Sequence, residues 1–187
     1  MKVLIVDNND SFSYNLKHYI NQFTDDIDVV RGDKINIDTI VDYEKIILSP
    51  GPGLPFEHPI LEKVLKRYHN NKSILGICLG QQAIAEFFNA ELKNLENVKH
   101  GISSEITHFN NCKLFSNIPK NFKIGHYHSW VVSKYNFPEE LNITSENEEG
   151  IITSINHKIY DITAVQFHPE SILTEHGLQL IINWFLD

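Results

Sequence analysis

The stretch Gly76-Ile-Cys-Leu-Gly-Gln-Gln82 constrains this chain more than any other. It follows an apolar run, Ser73–Cys78, and leads into a helical pattern, Gln82-Ala-Ile-Ala-Glu-Phe-Phe88. A strand, a sharp turn and a helix with Cys78 between Gly76 and Gly80 form a thiol version of the nucleophile elbow. The glycines fit a tight, strained turn in which a side chain would crowd its neighbours. Such a turn lifts one reactive atom above the carboxyl edge of a sheet. It also turns backbone N–H groups, that of Leu79 among them, toward the place where an oxyanion forms. A helix starting just after Cys78 favours the thiolate. Taken alone, the pattern leaves two readings open: a nucleophile, or a small buried hydrophobe in a glycine-punctuated turn.

The rest of the first half alternates in the same way. Lys2–Asp7 reads as a fully buried strand, broken at Asn8-Asn9-Asp10, with Asp10 or Ser11 placed to cap a helix carrying Phe12, Leu16, Tyr19, Ile20 and Phe23. Ile27–Val30 and Lys45–Ser49 read as further strands, Ile35–Tyr43 as a short helix or turn, and Pro59–His69 as an amphipathic helix. Between them Ser49-Pro-Gly-Pro-Gly53 is a stiff loop with exposed backbone, either a rigid turn or a cradle for an anion or carbonyl oxygen. It lacks the lysine and spacing of a phosphate-binding P-loop. This alternation predicts a mostly parallel sheet covered on both faces.

After Asn89 the pattern becomes short β-like pieces: Leu92–Leu95, Ile102–Phe109, Lys123–Ser133, Leu141–Ser145, Ile151–Asn156 and Ile159–Phe167. They are expected to be antiparallel, either extending the sheet's edge or forming a small second sheet. Thr174–Leu186 closes the chain as a packed helix. No linker divides the 187 residues, so one domain, 1–187, is expected.

Composition narrows the partners. A formal charge of −8, with no basic cluster beyond Lys66-Arg67, argues against nucleic acid. Two cysteines do not make a disulfide scaffold, and no apolar stretch is long enough to span a bilayer. The expected location is the cytoplasm.

A cysteine nucleophile needs a base and an orienter for that base. Among ten histidines, His168 is favoured because Ala164-Val-Gln-Phe-His-Pro-Glu170 is a strand that Pro169 stops sharply. His168 and Glu170, two apart in extended chain, project to one side, so Glu170 can accept from the imidazole that faces Cys78. The alternative is a core histidine beside a solvated carboxylate. His126 and His128 share a strand face but have no cysteine or carboxylate cluster beside them. They are read as packing residues, or as presenting the backbone at Ser129-Trp130 to a ligand. Cys112, in an Asn-Asn-Cys-Lys turn, has no activating neighbours.

Six stretches together resemble the class I glutamine amidotransferases, within them the small subunits of anthranilate and aminodeoxychorismate synthases. They are Asp7–Phe12, Ser49–Gly53, Gly76–Ala85, His100–His108, Tyr127–Ser129 and Gln166–Ile172. The resemblance implies a three-layer, flavodoxin-like α/β fold. It places the catalytic triad on Cys78, His168 and Glu170, and glutamine and oxyanion contacts on Gly51, Pro52, Gly53, Leu79, Gln82, Ser129 and Trp130. It implies hydrolysis of L-glutamine and delivery of ammonia to a separate chorismate-binding large subunit, most simply that of anthranilate synthase in tryptophan biosynthesis. Alternatives are the aminodeoxychorismate partner or both, and a non-catalytic flavodoxin-like docking module. No cofactor or metal is implied for this chain, the acceptor's Mg²⁺ belonging to the partner. Three positions depart from the family pattern: Gln81 for a usual His, Asn9 for Tyr and Ile102 for Lys. Trp130 for Leu should still serve if its contact is through backbone.

Overall fold

A computed structural model describes residues 1–109 and 112–187. Among the described residues nine strands form one sheet: β1 Val3–Asp7, β2 Ile27–Arg31, β3 Lys45–Leu48, β4 Ser73–Ile77, β5 Leu92–His108, β6 Asn121–Val132, β7 Leu141–Asn147, β8 Ile152–His157 and β9 Ile162–Val165. Their spatial order is β2-β1-β3-β4-β9-β8-β7-β5-β6. The first five run parallel, with Val3 beside Ile27 and Lys45, and Gly76 beside both Leu48 and Ala164. From β9 outward the pairing is antiparallel. The later strands therefore extend the sheet's edge.

The faces are covered by the α-helices α1 Ser13–Ile20, α2 Pro59–Tyr68, α3 Leu79–Phe87 and α4 Gly177–Leu186. The apolar runs of β1, β3 and β4 sort by alternation into two cores, as strands buried on both faces must. Leu4, Val6, Ile46, Leu48 and Ile74 pack with Leu61, Val64 and Leu65 of α2 and Ile84 of α3. Val3, Ile5, Ile47, Leu75 and Ile77 pack with Leu16 and Ile20 of α1 and Leu180, Ile181 and Phe185 of α4. The result is the expected three layers.

Several boundaries move for local reasons. The 35–43 segment is a 3-10 turn over Ile37–Asp42, begun by Asn36, whose Oδ1 accepts from the Asp38 N–H. The two separate pieces read at 92–95 and 102–109 join into one strand, β5, through register shifts around 94–102 where Gly101 takes φ +66°. α1 ends at Ile20, and Phe23 lies beyond it against Phe185. α4 begins at Gly177 because residues 171–176 are occupied elsewhere: Thr174 Oγ1 donates to His168 O at 2.6 Å, and His176 sits in the left-handed region. The first two residues of the Asn110–Lys113 turn lie outside the described residues. Among the described residues, no helix is long and apolar enough to cross a membrane.

Candidate active site

The elbow forms where β4 meets α3. Cys78 takes φ 52°, ψ −101°, a conformation a side-chain-bearing residue rarely holds. Its N–H donates to Val165 O at 2.8 Å and its carbonyl accepts from Gln82 N at 3.1 Å. A Cβ on Gly80 would sit 2.2 Å from Leu48 O, and one on Gly76 would meet Ile84 and the Gly80 backbone within 2.7 Å. The glycines let β3, β4 and α3 close on one another, and the closure holds the strained cysteine in place.

Beside it, past the end of β9, His168 Nδ1 and Glu170 Oε1 are 2.7 Å apart, both groups buried. Burial disfavours a charged His168 ring, but the Cys78 side chain and then Glu170 outweigh it and hold the imidazole well above its ordinary value. His168 Nε2, left for the thiol, makes no well-formed hydrogen bond of its own. Cys78 is thus near enough to stabilise the charge without a tight bond to it, which is common before substrate binds. The Phe12 ring lies edge-on to His168 at 5.7 Å, and Tyr127 at 4.9 Å. Asp10, whose Oδ2 accepts from the Phe12 N–H rather than from within the helix, is pushed up chiefly by burial. The 8–12 turn is therefore more than a cap: it seats an aromatic ring against His168.

A cavity of about 190 Å³ opens over Cys78. Gly51, Pro52, Gly53, Leu79, Gln82, Ser129 and Trp130, the seven positions expected to meet glutamine or the oxyanion, all line it. The Ser49–Gly53 loop is set from below: Asn8 N–H and Nδ2 donate to Ser49 Oγ and O at 3.0 Å, His58 Nε2 bonds Pro52 O, and Glu57 accepts from Leu54 N. Gly53 needs its φ of +74°, and a Cβ there would strike the Glu57 carboxylate. The Trp130 carbonyl accepts from Gln82 Nε2 at 2.9 Å. A larger groove between α2 and α3 is lined by Pro55, Phe56, Leu61 and Phe87, with Lys66, Glu62 and Glu86, and includes neither Cys78 nor His168.

The sequence reading did not single out Val98, His100, Tyr127 or His128 for this cavity, yet they line it from β5 and β6. Nor did it single out Gln166, which is fully buried with Nε2 3.5 Å from Cys78 Sγ. Its signal was available: a polar side chain two residues before His168 in an otherwise apolar strand. His126 and His128 bond each other at 2.9 Å, and Ser104 Oγ meets His126 Nε2. Burial pushes them down to about 4 and about 3, which keeps both rings neutral. Among the described residues no group of three or more His, Cys, Asp or Glu is placed to hold a metal ion. Gln81 is fully buried with neither amide atom hydrogen-bonded, whereas Asn9 and Ile102 are exposed. Asn9 occupies the left-handed region, which Asn tolerates.

The family profile described as glutamine amidotransferase class-I matches residues 4–187. The chain belongs to the class I glutamine amidotransferases. Relatives in this amidotransferase family include anthranilate synthase component 2 of Pyropia yezoensis, 40% identical over 97% of both chains. Aminodeoxychorismate synthase component 2 of Klebsiella aerogenes is 36% identical over 97% of this chain and 98% of that one. A multifunctional tryptophan biosynthesis protein of Phycomyces blakesleeanus is 39% identical over 98% of this chain, which spans 24% of that protein. A crystal structure of a glutamine amidotransferase from Thermotoga maritima superposes with a TM-score of 0.76 over 100% of this chain and 96% of that one. At 14% identity it speaks for the fold alone.

Proposed function

We propose that this amidotransferase hydrolyses L-glutamine at Cys78 and passes the ammonia to a separate chorismate-aminating subunit, that of anthranilate synthase. The observation that carries the reading is one convergence. The strained Cys78, the His168–Glu170 pair and a cavity lined by the seven expected positions meet over one sheet edge. The cavity is smaller than the roughly 300–1,000 Å³ that drug-sized ligands need, which suits one amino acid.

In this reading the Cys78 thiolate attacks the side-chain carboxamide carbon of glutamine. The Gly53 and Leu79 amides receive the oxyanion. His168, held charged, gives its proton to nitrogen as the C–N bond breaks, and ammonia leaves a thioester. His168 then takes a proton from water, whose oxygen attacks the thioester carbon. The C–S bond breaks, glutamate departs and the thiolate returns. Glu170 keeps the imidazole oriented throughout. The whole of 1–187 acts as one glutaminase unit in the cytoplasm. It needs no cofactor, and the acceptor's Mg²⁺ is held by the partner.

The similarity to stand-alone component 2 proteins supports a separate partner. The Klebsiella relative supports a second reading, in which the acceptor enzyme is aminodeoxychorismate synthase. Purification of the complex and identification of its aromatic amine product separates the two. Cys78→Ser is expected to abolish glutamine-dependent product formation by at least about a hundredfold while leaving ammonium-dependent formation intact. Glutamine hydrolysis persisting in that variant removes Cys78 from the role.

A further inference from the structure

Four groups in line connect the cavity wall to the sulfur. The Trp130 carbonyl accepts from Gln82 Nε2 at 2.9 Å, and the same nitrogen lies 3.3 Å from Gln166 Oε1. Gln166 Nε2 lies 3.5 Å from Cys78 Sγ. All three side chains are at least nine-tenths buried. The backbone around Gln166 is fixed too, its N–H donating to Thr153 O at 2.9 Å.

The direction of this line follows from its first member. A backbone carbonyl can only accept, so Gln82 must turn its NH₂ toward Trp130. With that NH₂ beside Gln166, the Gln166 amide must present its oxygen there, since the reverse would set two donors face to face. The Gln166 NH₂ is thereby left for the sulfur. An N–H aimed at sulfur is stronger toward an anionic acceptor than toward a neutral one, so it favours thiolate over thiol.

We propose that Gln166 is a hydrogen-bond donor that stabilises the Cys78 thiolate, its polarity fixed through Gln82 by the carbonyl of Trp130. Cys78 therefore has two partners, His168 and Gln166, and the second is hydrogen-bonded through Gln82 to the backbone of the cavity wall. A shift of the Ser129-Trp130 segment reaches the sulfur along this line. The inference deepens the proposed function and rests on its assignment of Cys78 as the nucleophile.

The test is the pH dependence of Cys78 alkylation by iodoacetamide, followed by peptide-resolved mass spectrometry so that Cys112 is scored separately. Gln166→Met, close in size but without a donor, is expected to raise the alkylation midpoint by about one pH unit. Gln166→Glu, which sets a carboxylate against the sulfur, is expected to raise it further. Gln82→Glu removes the donor that holds Gln166 in place and is expected to move the midpoint the same way. Melting temperature identifies which variants fold, and each folded variant carries the test by itself. An unchanged or lowered midpoint in a folded Gln166 variant overturns the proposal. Because the assay reads the thiol without glutamine, it is separable from the other failure, in which Cys78→Ser still hydrolyses glutamine.

Discussion

At Cys78 the chain holds a side chain where the backbone favours glycine, at φ 52°, and departures of this kind cost about 1–3 kcal/mol and persist only when surroundings impose them. Here the imposing contacts are Leu48 against Gly80 and Ile84 against Gly76. Gln81, one turn position away, is a second local cost. Its amide is buried and unbonded on both atoms, so Gln81→Met should raise the unfolding free energy in urea by about 1–3 kcal/mol. The His126–His128 pair fixes a pH dependence. Both rings stay neutral in the fold, at about 4 and about 3, but protonate near their ordinary value when unfolded. The unfolded state then binds more protons, so this contribution to stability falls as pH drops from 6.5 to 5, by up to about 1.4 kcal/mol per pH unit for each ring. His168 has the opposite sign: raised in the fold, it stabilises below its unfolded value and loses that contribution as pH rises through its folded one. The two windows do not overlap. Unfolding measured between pH 6.5 and 5 should therefore lose most of its slope in His126→Gln/His128→Gln.

Among the elements, α4 shows how a helix start supports the turn that carries His168. Gly177 packs so closely under the His-Pro-Glu turn that a Cβ there would lie 1.8 Å from Pro169 O. Gly177→Ala must therefore push Pro169, with His168 and Glu170 on either side of it. Expected is a fall in glutamine-dependent kcat of about tenfold or more, with stability reduced by about 1–3 kcal/mol, read by steady-state kinetics and urea unfolding. Apolar runs and glycines made β1, β3, β4 and the elbow readable from sequence, because strands buried on both faces have little freedom in composition. The start of α4 was misjudged by three residues because Thr174 and His176 resemble helix openings locally, yet are drawn into the turn that carries His168. The middle of β5 was unreadable for another reason. Glu96-Asn97-Val98-Lys99-His100-Gly101 has no alternation, and only pairing with β6 through register shifts makes it strand. Val98 and His100 were missed as cavity residues with it.

Across the molecule, the site stands where the parallel half and the antiparallel half of one sheet meet. The parallel half supplies Cys78, His168 and the Gly51–Gly53 loop, whose positions come from short connections at strand ends. That is why the sequence already groups Cys78, His168 and Glu170, which the structure brings together. The opposite wall comes from β5 and β6, through Val98, His100 and residues 127–130, and its placement depends on long-range pairing that no local pattern encodes. The division predicts a kinetic one: Val98→Ala should raise KM for glutamine several-fold while kcat stays within about twofold, since it touches ligand room but not the reacting groups. A comparable fall in both kcat and kcat/KM would place Val98 with the chemistry instead. The 17-residue β5, with its irregular register, thus forms a ribbon-like wall facing the wall that carries Cys78. Under the proposed function, side chains exchanged along this ribbon would retune the hold on a small molecule while leaving the strained turn at Cys78 as it is.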